Sequence, residues 1–225
     1  MKIIPASDSS VMAVFGDAIS PQTQDCVLAL FRALQARKDA RIRNLHPGYT
    51  SLLVDFDPLS MTHNEASATI EALAEVGLPT ANDSPLLTIP VCYDAEFGLD
   101  LKHVAAHTGL SIAEVIRLHS GATYQVCFLG FTGGFAYLGG MPEELDTPRL
   151  ATPRRAVMAG SVGIAGGQTG IYPTETPGGW RLIGCTPVRM FDPQAQPPTR
   201  IQAGDSIRFS PIDHAEFGRL RQASQ

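Results

Sequence analysis

The chain has 225 residues, of which 44% are hydrophobic and 17% charged, with a formal net charge of −5. That length holds one large domain or two small ones, and it buries roughly 70% of the surface of the unfolded chain, so a packed core is expected rather than disorder. No Lys/Arg block is present to neutralise phosphates, which excludes a nucleic-acid surface. No apolar run nears the roughly 20 residues of a membrane span. Met1-Lys2-Ile3-Ile4-Pro5 leads into polar residues without the apolar segment of a signal peptide. Cys26, Cys92, Cys127 and Cys185 are scattered without metal-ligand spacing and read as free thiols of a cytoplasmic protein with no metal site.

The first third alternates strand and helix signals. Val11-Met12-Ala13-Val14-Phe15 is a short strand stopped by Gly16. Ser20-Pro21 reads as an N-cap with proline at the first helical position. Val27, Leu30, Phe31 and Leu34 then recur at i, i+3, i+4 and i+7, one apolar stripe on a helix. Residues 41–45 and 51–56 predict two strands joined through His46-Pro47-Gly48-Tyr49-Thr50. Thr62 and Glu65 form a capping box for a second helix that carries Ala66, Ile70, Leu73 and Ala74 inward and ends at Gly77. The order β-α-β-β-α, with residues 86–92 available as a last strand, predicts a ferredoxin-like layer. The polar, turn-prone stretch 79–85 marks the boundary between domains 1–84 and 85–225.

Two helices follow, one over 99–107 closed by Gly109 and one opened by the capping box Ser111 and Glu114. After His119 the pattern changes. Thirteen of the 21 glycines lie between Gly130 and Gly184, among short apolar runs at 122–129, 162–165 and 181–183, which predicts an all-β barrel or sandwich. The fold class is therefore α+β: a small α/β domain followed by a β domain.

Three glycine- or proline-rich clusters in the β half carry the candidate chemistry. In Phe128–Gly140, aromatics alternate with glycines, which suits pocket walls and equally a tight barrel corner. Gly163–Pro173 can aim backbone N–H groups at an anion, but it lacks the Gly-Lys-Ser/Thr ending of a P-loop. Gln168 and Thr169 suit a small amide or carboxylate, and a surface loop is the competing reading. In Asp146–Arg155, prolines stiffen a loop that presents arginines to a carboxylate or phosphate, or that merely balances the acidic net charge. His119 falls on the inward stripe of its helix with Ile112, Val115 and Ile116. It is either a hydrogen-bonded core residue or a proton carrier bordering a cavity. Glu96 lies in a turn and reads as an exposed carboxylate or an acid/base group. No nucleophile elbow and no paired-histidine metal motif is present.

These segments also carry a likeness. Ile89-Pro90-Val91-Cys92-Tyr93, Glu96-Phe97-Gly98-x-Asp100-Leu101, His107-Thr108-Gly109-Leu110-Ser111 and Leu118-His119-Ser120 open the series. Tyr137-Leu138-Gly139, Thr147-Pro148-Arg149, Thr152-Pro153-Arg154 and the long run Ala159–Pro173 follow, then Thr176-Pro177-Gly178-Gly179-Trp180 and Phe191-Asp192-Pro193. The series resembles the family of the bacterial 5-oxoprolinase B component, also called allophanate hydrolase subunit 1 or sporulation-kinase inhibitor. The resemblance implies a cyclophilin-like β-barrel in the second domain. It also implies an ATP-hydrolysing enzyme that opens the cyclic amide of 5-oxo-L-proline to L-glutamate, active only with a homologous cyclophilin-like C subunit and a separate A subunit. ATP belongs to the complex, and no metal site is expected in this chain. On that reading His119 moves a proton, Gln168 and Thr169 bond the lactam amide and Arg154 holds a carboxylate. Phe135, Tyr137, Tyr172 and Trp180 complete the pocket. Family members also include a regulator that inhibits a histidine kinase and modules of urea or allophanate enzymes; no biotin-attachment segment accompanies this chain. The sequence departs from the family's Phe-x-Pro-Gly-Phe-Pro-Tyr at Phe131-Thr132-Gly133-Gly134-Phe135-Ala136-Tyr137, and from Gly-Arg-Thr-Pro at Gly184-Cys185-Thr186-Pro187.

Overall fold

The computed structural model describes residues 1–75 and 86–223, and the chain divides into two compact units, Met1–Asp83 and Ser84–Gln225. The expected boundary at 79–85 and the helix end at Gly77 lie outside the described residues.

The first unit runs β1 (Lys2–Ser7), β2 (Ser10–Val14), α1 (Pro21–Arg37), β3 (Ile42–Pro47), β4 (Ser51–Phe56) and α2 (His63–Glu75). Its antiparallel sheet has the order β1-β2-β4-β3. Ser20 caps α1 by accepting the Thr23 N–H at 3.1 Å, which satisfies a donor that has no partner within the helix. At α2 the Glu65 carboxylate takes the Thr62 N–H at 2.8 Å while the Thr62 hydroxyl takes the Glu65 N–H at 3.3 Å. Along β4 the alternate residues Leu52, Val54 and Phe56 are buried and meet Val27, Leu30 and Leu34 of α1 and Ile70 of α2. One expectation needs correcting. The fourth strand of this layer is β1, paired with β2 through a short hairpin, and residues 86–92 belong to the second unit. A hairpin closes locally at little entropic cost, whereas 86–92 has a full seven-residue parallel partner elsewhere.

The second unit begins with β5 (Leu86–Cys92), α3 (Leu101–Thr108) and α4 (Ile112–Gly121). There follow β6 (Tyr124–Leu129), β7 (Ala136–Gly139), a 3-10 turn at Glu143–Leu145, β8 (Arg154–Val157), β9 (Ser161–Ala165) and β10 (Gln168–Ile171). The chain ends with β11 (Thr176–Gly178), β12 (Arg181–Cys185), β13 (Ser206–Ile212) and α5 (His214–Ala223). Seven strands close a barrel in the order β10-β7-β6-β13-β5-β12-β9, with β8 and β11 paired separately. Among the described residues only β5 and β13 run parallel. The barrel interior is filled by Ile89, Val91, Val126, Leu138, Val162, Ile164, Ile171, Ile183 and Ile207, so it is a core and not a channel. Ser111 and Glu114 form the predicted capping box of α4, and Gly109, at φ +72°, ends α3 in the left-handed conformation.

Candidate functional site

The glycine-rich segment after Ser161 is a β-hairpin, β9 to β10, whose backbone groups are spent on ladder pairing. The Gly166 N–H also goes to the Thr147 carbonyl at 2.8 Å. It therefore offers no concave nest of free N–H groups, and the anion-binding expectation for this segment is corrected on that ground. What the glycines supply is room. Gly163 and Gly170 face each other across the hairpin. A Cβ on Gly163 would lie 3.0 Å from Cβ of Trp180, and one on Gly170 would lie 2.8 Å from the Ala136 carbonyl oxygen and 3.2 Å from both the Trp180 and Phe135 rings. The two missing side chains leave room for Trp180 and its indole ring to approach the hairpin closely.

Around that ring the structure gathers the predicted aromatic residues. Phe135 meets Trp180 edge-on at 5.3 Å between centroids, Tyr172 at 5.3 Å and Tyr137 at 5.0 Å, and Tyr137 meets Trp180 at 6.0 Å. Edge-to-face contact of this kind favours a fixed ring arrangement. Phe135 and Tyr172 are buried, and Tyr137 and Trp180 remain partly open. Phe131, at φ +67°, stands 64% exposed beside Phe135. Since Thr169 points into the barrel, its neighbour Gln168 points out, on the same face of β10 as Gly170, which pairs with Tyr137.

Arg154 borders this cluster and is held in place. Its Nη2 donates to Oδ1 of Asp100 at 2.9 Å and its Nη1 to the Trp180 carbonyl at 3.4 Å. Oδ2 of Asp100 accepts the Leu182 N–H at 2.7 Å, and Arg181 stands 3.9 Å from the same carboxylate. Asp100 is buried, so it ties the start of α3, strand β12 and Arg154 together. The guanidinium keeps further N–H groups for an incoming anion. Burial holds the Tyr172 phenol above its usual pKa, against smaller lowering by its hydrogen bond to the Trp180 backbone and by the Arg154 charge.

His119 and Thr169 occupy different ground. His119 has no exposed surface and stacks on Phe209 at 4.6 Å. The Thr169 hydroxyl donates to the Gly163 carbonyl at 3.0 Å, so the contact of 3.0 Å between Nε2 and that hydroxyl requires Nε2 to carry the proton. Nδ1 then accepts from the Tyr93 hydroxyl at 2.8 Å. The tautomer follows from this chain of donors. Burial drives the imidazole pKa down from 6.5 to about 3, so the ring is neutral. His119 and Thr169 thus lie within the barrel, behind the face that carries Tyr137, Gln168 and Trp180, with their polar atoms engaged by one another. Glu96 is exposed and pairs with His214 at 3.1 Å.

Tyr93 and Asp100 were not singled out from the sequence. An aspartate just before a helix reads as a cap, and only the fold brings strand β12 and Arg154 to it; Asp100 in fact makes no side-chain cap bond. Among the described residues no group of three or more His, Cys, Asp or Glu side chains could hold a metal ion, and no helix is long and apolar enough to cross a membrane.

Residues 1–201 match the family described as carboxyltransferase domain, subdomain C and D. The chain is 39% identical to the B component of 5-oxoprolinase from Bacillus subtilis over 96% of its own length and 95% of that protein. It is 41% identical to the B component of 5-oxoprolinase from Haemophilus influenzae over 93% of its length and 97% of that protein. Among solved structures, TTHA0988 superposes with a TM-score of 0.80 at 35% identity, covering 91% of this chain; this chain spans only 40% of that longer one. With this coverage, a seven-strand barrel and the aromatic face described above, the chain belongs to the 5-oxoprolinase B-component family, built as carboxyltransferase subdomains C and D.

Proposed function

We propose that this chain is the B component of a cytoplasmic complex that opens 5-oxo-L-proline to L-glutamate with ATP hydrolysis, working with an A subunit and a homologous cyclophilin-like C subunit. The observation that carries this reading is the 39% identity to a 5-oxoprolinase B component across nearly the whole of both chains. Free thiols at Cys92, Cys127 and Cys185, all buried, suit a reducing compartment.

The substrate is a small lactam with a carboxylate, and the face around Trp180 has the parts to hold one. Tyr137 and Trp180 offer partly open rings for the flat ring of the substrate, and Arg154, braced by Asp100, offers N–H donors to its carboxylate. The Gln168 carboxamide can both donate to the lactam oxygen and accept from its N–H. His119 and Thr169, enclosed and mutually bonded, hold β10 and so fix where Gln168 stands; the proton step passes to groups outside the barrel interior. The glycine-rich hairpin is not a phosphate-binding loop, because its N–H groups are paired and no lysine follows it. On this reading nucleotide is shared with, or held by, a partner protein of the complex, and no step here depends on it.

The test is co-expression with A- and C-type partners and an ATP-dependent assay of glutamate release from 5-oxoproline. Gln168→Ala is expected to lower turnover at least tenfold without changing the melting temperature. No glutamate release from the intact wild-type complex sinks the assignment. Unchanged kinetics in the variant removes Gln168.

A further inference from the structure

Away from the aromatic face, and sharing none of its residues, a second cavity of about 190 Å³ opens in the barrel unit between the end of β12, the turn before β9 and helix α5. Its floor is built closely. Gly160, at φ +87°, lies so near the Thr186 carbonyl and 3.1 Å from Sγ of Cys185, measured from an added Cβ, that no side chain fits there. Pro173, Val188 and Phe217 form apolar walls. Three residues with side-chain donors line this cavity: Thr186, Arg189 and Arg221. Thr186 is only 3% exposed, and its hydroxyl accepts the Val188 N–H at 3.2 Å, so among the described residues its own proton has no acceptor. Arg221, in the last turn of α5, lies 5.9 Å over the Phe217 ring and forms no ion pair among the described residues. Its charge reaches the Cys185 thiol beneath the floor. Arg189 completes the set and shares its charge with Asp192 at 3.3 Å.

A buried hydroxyl with a proton to give, one unneutralised guanidinium and one half-neutralised guanidinium leave an excess of positive charge over apolar walls. We propose that this cavity is a binding site for a small organic monocarboxylate, whose two oxygens accept from Thr186 and Arg221 while its apolar body packs on Pro173, Val188 and Phe217. A nucleotide is too large, since pockets for drug-sized ligands begin at roughly 300 Å³. An inorganic anion would leave the apolar walls unused. The site is independent of the 5-oxoprolinase reading and stands or falls separately from it.

The experiment is a titration of the full chain at neutral pH with butyrate, and with butyramide as a neutral probe of matched shape, followed by amide NMR. Butyrate is expected to shift the Gly160, Thr186 and Val188 signals saturably, with butyramide at least tenfold weaker. Arg221→Ala and Thr186→Val should each weaken butyrate at least fivefold. Arg221 is on an exposed helix end, so its variant should keep the remaining spectrum and serve if Thr186→Val fails to fold. Equal binding of the two probes, shifts confined to other regions, no shifts at all, or an Arg221→Ala variant that binds as before would each overturn the proposal.

Discussion

The α/β unit and the barrel bury their interiors by different means. In the α/β unit the main buried cluster, around Leu30, Leu52, Val54 and Ile70, is hydrophobic, buried Ser10 and Gln24 are its polar exceptions among the described residues, and ion pairs such as Arg41 to Asp39 stand at the periphery. In the barrel unit a polar line, Tyr93 to His119 to Thr169 to the Gly163 carbonyl, is threaded through the core, and the Asp100 carboxylate is buried against the wall. An apolar cluster tolerates small shifts, whereas a polar line costs free energy unless every member finds its partner, so it fixes one arrangement of the strands that carry it. Here those strands include β10, which displays Gln168, while Asp100 reaches from its buried place to Arg154 on β8. The difference teaches that precision is concentrated in the unit with the candidate site.

The largest expected effect probes the apolar side of this contrast. Leu30→Ala should destabilise the α/β unit by about 3 kcal/mol, within the ~2–5 kcal/mol range for large-to-small core changes, read by urea denaturation. Asp100→Ala should cost nearly as much in the barrel, about 3 kcal/mol, because it strands the Leu182 N–H and the Arg154 guanidinium together. A loss below about 1 kcal/mol would mean the carboxylate is not structural. Tyr93→Phe removes the donor to Nδ1 and should cost about 1.5 kcal/mol.

The polar line also carries a pH signature that the apolar cluster lacks. His119 is neutral in the folded barrel with a pKa of about 3, against 6.5 when exposed. The unfolded chain therefore binds more protons between these values, so the contribution of His119 is fully present above pH 6.5 and is lost as pH falls toward 3. His119→Asn should flatten the pH dependence of stability in this window by about one proton. An identical slope in both proteins would show that His119 titrates freely. The smallest effect returns to the α/β unit, where Ser20→Ala should cost about 1 kcal/mol by uncapping α1.

Much of this was legible in the chain. The spacing of Val27, Leu30 and Leu34 placed α1, and the Ser111 and Glu114 pair placed the start of α4, because a helix and its cap are set by residues within a few positions of one another. The aromatic and glycine pattern marked Phe135 and Tyr137, and the family resemblance added Tyr172 and Trp180; the barrel does bring the four together. What the sequence did not decide was which partner each polar group meets. Residues 86–92 are a strand on any reading, yet only pairing with β13, over a hundred residues on, puts them in the barrel. His119 carried the same periodicity whether it bordered a cavity or lay enclosed. Tyr93 and Thr169, at separations of 26 and 50 residues, made it a neutral, satisfied core group. Asp100 falls inside the helix predicted over 99–107, and its partners Leu182 and Arg154 come to it from 82 and 54 residues away. Local sequence fixes dihedral preference and amphipathic faces. Long-range hydrogen bonds and their desolvation are determined only when distant strands close into one barrel.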